Sequence, residues 1–110
     1  MVSLTLTIPR LTSPASVVST TGAGGGPFVY GGRILIPEGS AGLVFFRVYA
    51  RGGRPLCPSS GGWVNGGNGR EVTFNGLWRV DGPPYTLTLE AYNLDDRYNH
   101  TISAELEAGI

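Results

Sequence analysis

Residues 85–93, YTLTLEAYN, alternate without a break. Tyr85, Leu87, Leu89 and Ala91 fall on one side, and Thr86, Thr88, Glu90 and Tyr92 on the other. A period of two belongs to a strand with one face turned to a core. After the polar stretch 93–100, NLDDRYNH, the pattern resumes: residues 101–108 set Ile102, Ala104, Leu106 and Ala108 against Thr, Ser and Glu.

The same period runs back to the start of the chain. Val2, Leu4, Leu6 and Ile8 alternate with Ser3, Thr5 and Thr7, so this segment reads as a half-buried strand. It has neither the basic region nor the continuous apolar run of a signal peptide. Strands are also expected at 28–36, FVYGGRILI, with a bulge or a close backbone approach at Gly31-Gly32, and at 71–75, EVTFN. Shorter ones fit 16–20 and 77–80. Pro37-Glu38-Gly39-Ser40 and Asp81-Gly82-Pro83-Pro84 supply the fixed φ and the positive φ that turns use. No segment spaces its apolar residues as a helix does. At 110 residues the chain makes one domain, 1–110. The expected fold is all-β: a single antiparallel β-sandwich of about 6–8 strands, immunoglobulin-like or a small jelly roll. Both ends alternate, so both are expected to be paired.

Two stretches depart from simple alternation. Residues 43–50, LVFFRVYA, are apolar on both faces, with Val44, Phe46, Val48 and Ala50 opposite Leu43, Phe45 and Tyr49, beside Arg47. Such a strand is central and covered twice, by its own chain or by a neighbour. It leads into residues 51–70, RGGRPLCPSSGGWVNGGNGR, which hold seven glycines, three arginines, the only cysteine and one of two tryptophans. Loops of this length without structure of their own tend to be functional. The expectation is a long glycine-rich loop at about 51–70 lying against a neighbour, anchored by Arg51, Arg54 and Trp63.

The ending PPYTLTLEAYNLDDRYNHTISAEL, residues 83–106, resembles the last hairpin of immunoglobulin-like sandwiches. It shows a Tyr-led alternating strand, a polar turn and an alternating final strand. The resemblance covers about a quarter of the chain, lacks the Cys–Trp–Cys signature, and extends to β-sandwich accessory proteins of virus or phage particles.

The chemistry-bearing residues are few. The chain has no Lys, so the glycines at 22–26 cannot belong to a P-loop, and no helix follows them. A single RGG at 51–53 is not a repeated nucleic-acid arm. With eight basic and eight acidic residues the net charge is zero, which leaves no electrostatic footprint for nucleic acid. Every basic residue is Arg, a skew that fits a GC-rich genome, a hot habitat (a thermophile) or packed Arg contacts. No apolar run approaches the ~18–20 residues of a membrane span. Cys57 and His100 would have to meet to make a nucleophile site, and Cys57 sits between Leu56 and Pro58 with no elbow to present it. Glu90, Asn93, Asp95 and Asp96 could supply calcium oxygens, but a solvated turn explains them more simply. Glu90, Glu105 and Glu107 share the outward register of their strands, as a solvated face would.

The expectation is therefore a non-enzymatic structural protein with no cofactor or metal. It is read as a virion component, a capsid decoration, vertex or accessory subunit, acting as a homo-oligomer or within a capsid lattice. Its candidate contact residues are Leu43, Phe45, Tyr49, Arg51, Arg54, Trp63 and Tyr92, since Tyr, Trp and Arg are enriched at interface hot spots. The alternative is a carbohydrate-binding module or adhesin, with Trp63, Trp78 and an exposed Tyr as a stacking platform and Ca²⁺ at Asp95 and Asp96.

Overall fold

The computed structural model describes residues 1–109. Nine strands form among them: β1 (Val2–Ile8), β2 (Val18–Ala23), β3 (Phe28–Leu35), β4 (Val44–Ala50), β5 (Arg54–Cys57), β6 (Val64–Asn65), β7 (Glu71–Arg79), β8 (Thr86–Asn93) and β9 (His100–Gly109). A single 3-10 turn, Pro14–Ser16, precedes β2. One sheet has the order β1-β9-β3-β7; the other has β2-β8-β4-β5, with β6 also pairing with β4. All pairs are antiparallel.

The strand order decides between the two expected sandwiches. β1, β3, β7 and β9 lie in one sheet and β2, β4, β5, β6 and β8 in the other, so most connections cross between sheets. That is the double Greek key of a jelly roll, whereas an immunoglobulin domain groups ABED and CFG. The expected last hairpin does not form. β8 bonds to β2 and β4, β9 bonds to β1 and β3, and the 93–100 connection is an arch from one sheet to the other. Alternation in β8 and β9 was correctly legible; a hairpin and an arch between sheets leave the same alternation.

The two sheets face each other through their alternate residues. Val2, Leu4, Leu6 and Ile8 of β1, Ile34 of β3, and Ile102, Ala104 and Leu106 of β9 come from one side. Val44, Phe46, Val48 and Ala50 of β4, with Leu87, Leu89 and Ala91 of β8, come from the other. Burying each Val, Leu, Ile or Phe contributes about 1.5–3 kcal/mol, so this layer is the main source of stability. The chain's first and last strands pair over their length, from Val2 opposite Leu106 to Ile8 opposite His100.

Gly31-Gly32 behaves as its sequence suggests. The register of β3 shifts between Val29 and Gly31 against both neighbours. Gly31 has φ of 143°, and a Cβ there would stand 2.3 Å from the Phe74 carbonyl oxygen. A Cβ on Gly32 would stand 2.6 Å from the Glu105 oxygen. The irregularity lets β7 run unbroken to Arg79, where two separate strands were expected.

The 51–70 segment is also more structured than expected. Leu56 and Cys57 are buried, and β5 and β6 both return to β4. Its glycines let the chain fold back on its own sheet in short pieces, so the central strand β4 is covered by its own loop.

Candidate functional site

The outer face of the second sheet carries the densest group of aromatic and charged side chains. Phe45, Arg47 and Tyr49 of β4 alternate away from the core, and the register sets them opposite Tyr92, Glu90 and Thr88 of β8. The Phe45 and Tyr92 rings stack at 4.9 Å and 14°. Trp63, delivered by the glycine-rich segment just before β6, meets Tyr92 edge-on at 4.8 Å. The Arg47 guanidinium lies 4.3 Å from the Trp63 ring centroid and 5.9 Å from that of Tyr49. Its Nε donates to Glu90 Oε1 at 2.8 Å, and the Tyr49 hydroxyl donates to Glu90 Oε2 at 3.3 Å. Burial pushes the Tyr49 phenol pKa up, and the charge of Glu90 adds to it.

Beside this cluster, Arg47, Val48, Tyr49, Gly53, Pro55, Pro58 and Gly61 line a cavity of about 190 Å³. That is below the roughly 300–1,000 Å³ usual for small-molecule sites. A guanidinium held by the Glu90 carboxylate, with a phenol and two prolines also in the lining, can recognise a group by contact and hydrogen bonding.

Of the seven contact candidates, the structure brings Phe45, Tyr49, Trp63 and Tyr92 together. Leu43 lies half-buried just before β4, and its carbonyl accepts from Leu94 N at 2.9 Å. Arg51 and Arg54 go elsewhere: Arg51 Nη1 donates to the Pro83 carbonyl at 3.2 Å, and Arg54 Nη1 to the Arg79 carbonyl at 3.0 Å. Tyr92 was expected to be exposed. It is 8% exposed, because Phe45 and Trp63 cover the face that alternation turned outward. Arg47 and Glu90 organise this face and were not among the candidates; their pairing becomes visible only once β4 and β8 are set in register.

A second built feature is the arch between β8 and β9. Asn93 is fully buried; its Nδ2 donates to the carbonyls of Ile8 and Tyr98, and its Oδ1 accepts from Asp95 N at 2.9 Å. Asp95 Oδ1 accepts from Arg97 N at 2.8 Å and Tyr98 N at 3.3 Å, and its Oδ2 lies 2.8 Å from His100 Nε2. The backbone donor of Arg97 and the His100 bond hold the Asp95 carboxyl below the usual carboxylate range. The N-terminal connection is stitched on by Leu11 N to the Asp95 carbonyl and Thr12 N to the Asn93 carbonyl, each 2.7 Å. This arrangement commits Asp95 to shaping the arch. It presents Leu11, Leu94 and Tyr98 to solvent at 69%, 45% and 64% exposure. Leu11 adopts φ of 57°, an uncommon conformation for a bulky residue.

The remaining candidates stay apart. Cys57 is buried in β5 of one sheet, where burial pushes its thiol pKa up, while His100 opens β9 in the other and bonds Asp95. Trp78 packs on Phe74 in the first sheet, so the two tryptophans do not share a face. Glu105 accepts from Arg33 Nε at 2.9 Å on the outer face of the first sheet.

No family model matches the chain, and no curated protein matches it. Among solved structures, the Yersinia pseudotuberculosis-derived mitogen aligns with a TM-score of 0.50 at 10% identity, over 97% of this chain and 84% of that one. PliG of Aeromonas hydrophila, a periplasmic inhibitor of g-type lysozyme, aligns with a TM-score of 0.45 at 13% identity, over 96% and 85%. PirA aligns with a TM-score of 0.42 at 12% identity, over 96% and 93%. The likeness to the mitogen is one of fold, and it agrees with a two-sheet β-sandwich.

Proposed function

We propose that this chain is a non-catalytic structural subunit of a virus or phage particle, a decoration, vertex or accessory protein that works through protein contacts. The observation that carries the reading is the arch. A buried, hydrogen-bonded Asn93–Asp95–His100 network braces a connection whose outward side chains include Leu11, Leu94 and Tyr98. Apolar side chains exposed on a rigid scaffold suit protein recognition. Jelly rolls recur in viral capsid and lectin domains, a likeness of fold that adds to the reading by analogy alone. The partner is a protein subunit of the particle, and the location is the virion.

The test is fractionation of particles from the source culture on a density gradient. The chain should band with the particles in fixed proportion, and the triple variant Leu11→Ser, Leu94→Ser, Tyr98→Ser should leave that band while remaining folded. A chain found only in the soluble fractions would overturn the reading. Capsid, portal or packaging genes beside its gene would support it further.

A glycan-binding reading has the cavity beside Arg47 and Tyr49 in its favour. The Trp63 ring, however, is taken up by Arg47 and Tyr92. A glycan array probed with the native chain tests this reading, and binding lost in Tyr49→Ala would place the sugar there.

A further inference from the structure

Strand β7 closes one side of the first sheet, with β3 as its neighbour and no strand paired to its other edge among the described residues. Nine residues at about 3.3 Å each make that edge about 30 Å long. Glu71, Thr73, Asn75, Gly76, Leu77 and Arg79 are exposed; Val72, Phe74 and Trp78 are half-buried. Natural sheets blunt such edges with Lys and other charges, Pro, bulges or short strands. β7 has no Lys or Pro, carries charges only at its two ends, and is among the longest strands of the fold. Its one irregularity lies between Asn75 and Trp78, where three steps on β7 match two on β3.

The hydrogen bonds fix which groups face outward. Ile36 N donates to the Arg70 carbonyl and Val80 N to the Pro27 carbonyl, so Arg70 and Val80 turn their backbone groups toward the β3 side. Alternation then turns those of Glu71, Thr73 and Arg79 to the open edge. The Arg79 carbonyl is already capped by Arg54.

The sequence of this edge is complementary to itself. In EVTFNGLWR the two charges stand at opposite ends, four residues either side of Asn75. We propose that two copies of this chain pair along β7, antiparallel about a two-fold axis at Asn75, so that the two four-stranded sheets become one. Glu71 of each copy then faces Arg79 of the other, and Thr73 faces Leu77. Phe74 faces Gly76 of the second copy, a glycine overlain by its own Trp78 ring: a Cβ there would stand 2.6 Å from Trp78 Cη2. Each Phe74 therefore meets an aromatic surface, and Val72 meets Trp78. A contact of this kind is isologous, and both ionic pairs form at once. The main-chain bonds supply affinity, as in strand addition, and the paired charges supply the register. The pairing concerns purified chain alone and does not depend on the particle reading.

Sedimentation-velocity and light-scattering measurements on the purified protein, over a wide micromolar range, test it. The native chain should be a dimer. Glu71→Arg and Arg79→Glu should each weaken the dimer about tenfold or more, because each puts two like-charge pairs across the axis. The double swap E71R/R79E should restore it to near the native level, a result that a merely structural effect of either change would not give. Thr73→Pro, at a position whose N–H faces the open edge, should abolish the dimer and leave the melt of the monomer close to native. A native chain that stays monomeric throughout overturns the proposal. So does a dimer indifferent to the single charge reversals, or one that the double swap fails to restore.

Discussion

At the scale of single residues, the same residue type has opposite consequences at different positions. Gly31 lies at φ of 143° with the Phe74 carbonyl 2.3 Å from where a Cβ would sit, whereas a Cβ on Gly25 would meet nothing within 4 Å. Gly31→Ala should cost more than ~2 kcal/mol, while Gly25→Ala should stay within about 0.5 kcal/mol of native. Urea melts of the two variants check the contrast. Asp95 gives a pH prediction with a definite sign. Its folded pKa is depressed by the Arg97 N–H and His100, so its contribution is fully present above the unfolded value of about 3.9. That contribution is lost as pH falls through the lower folded value. Thermal melts should therefore drop below about pH 4 in the native protein and less steeply in Asp95→Asn, the difference between the two isolating this carboxyl. Cys57 should react with a thiol reagent far more slowly folded than in urea, since it is buried and its thiol pKa is raised. Of these three, the sequence alone exposed Gly31 and the idle setting of Cys57 between Leu56 and Pro58. Asp95 sits in a stretch that reads as a solvated turn, and its burial comes from the N-terminal connection folding over it.

Elements were legible wherever one face is apolar and the other is not. Alternation located β1, β3, β8 and β9, within one or two residues at their ends, because burying one face imposes a period of two, and a run apolar on both faces located β4. It could not assign strands to sheets, since hairpin and cross-sheet connections leave the same pattern. Nor could it see that β8 is covered on both faces, with Thr88 and Glu90 buried alongside Leu87 and Leu89. β5 and β6 were hidden for another reason: they are short, rich in Gly and Pro around them, and held by β4 instead of by any pattern of their own. The candidate site followed the same division. Its aromatic members were nameable in advance, but the Arg47–Glu90 pair that ties them together depends on register between distant strands. Glu90→Ala should accordingly destabilise the fold by about 1–3 kcal/mol, since it frees Arg47 and Tyr49 together on a largely covered face. Glu90→Ala combined with Arg47→Ala should cost less than the two singles added. A double-mutant cycle in urea measures that coupling.

For the whole molecule, the closing strand pair β1–β9 makes stability depend on contacts between the two ends of the chain. β9 sits between β1 and β3, so it cannot be lost without splitting its sheet. β1 is an edge strand, yet it is not dispensable, because Val2, Leu4, Leu6 and Ile8 are all buried in the shared core. At about 1.5–3 kcal/mol each they contribute roughly 6–12 kcal/mol. That is comparable with the whole margin of about 5–15 kcal/mol by which a domain of this size stays folded. A chain lacking residues 1–8 should therefore show no cooperative thermal transition by circular dichroism. The single substitution Leu4→Ala should cost about 2–5 kcal/mol and keep the transition. A truncated chain that still melted cooperatively would mean that β2 and β9 can close over the exposed core without β1. The close packing of β1 against β2 argues the reverse: a Cβ on Gly22 would stand 2.8 Å from Leu4 Cδ2 and 3.2 Å from Val2 Cγ1, so the corner of the sandwich is packed around the side chains of β1.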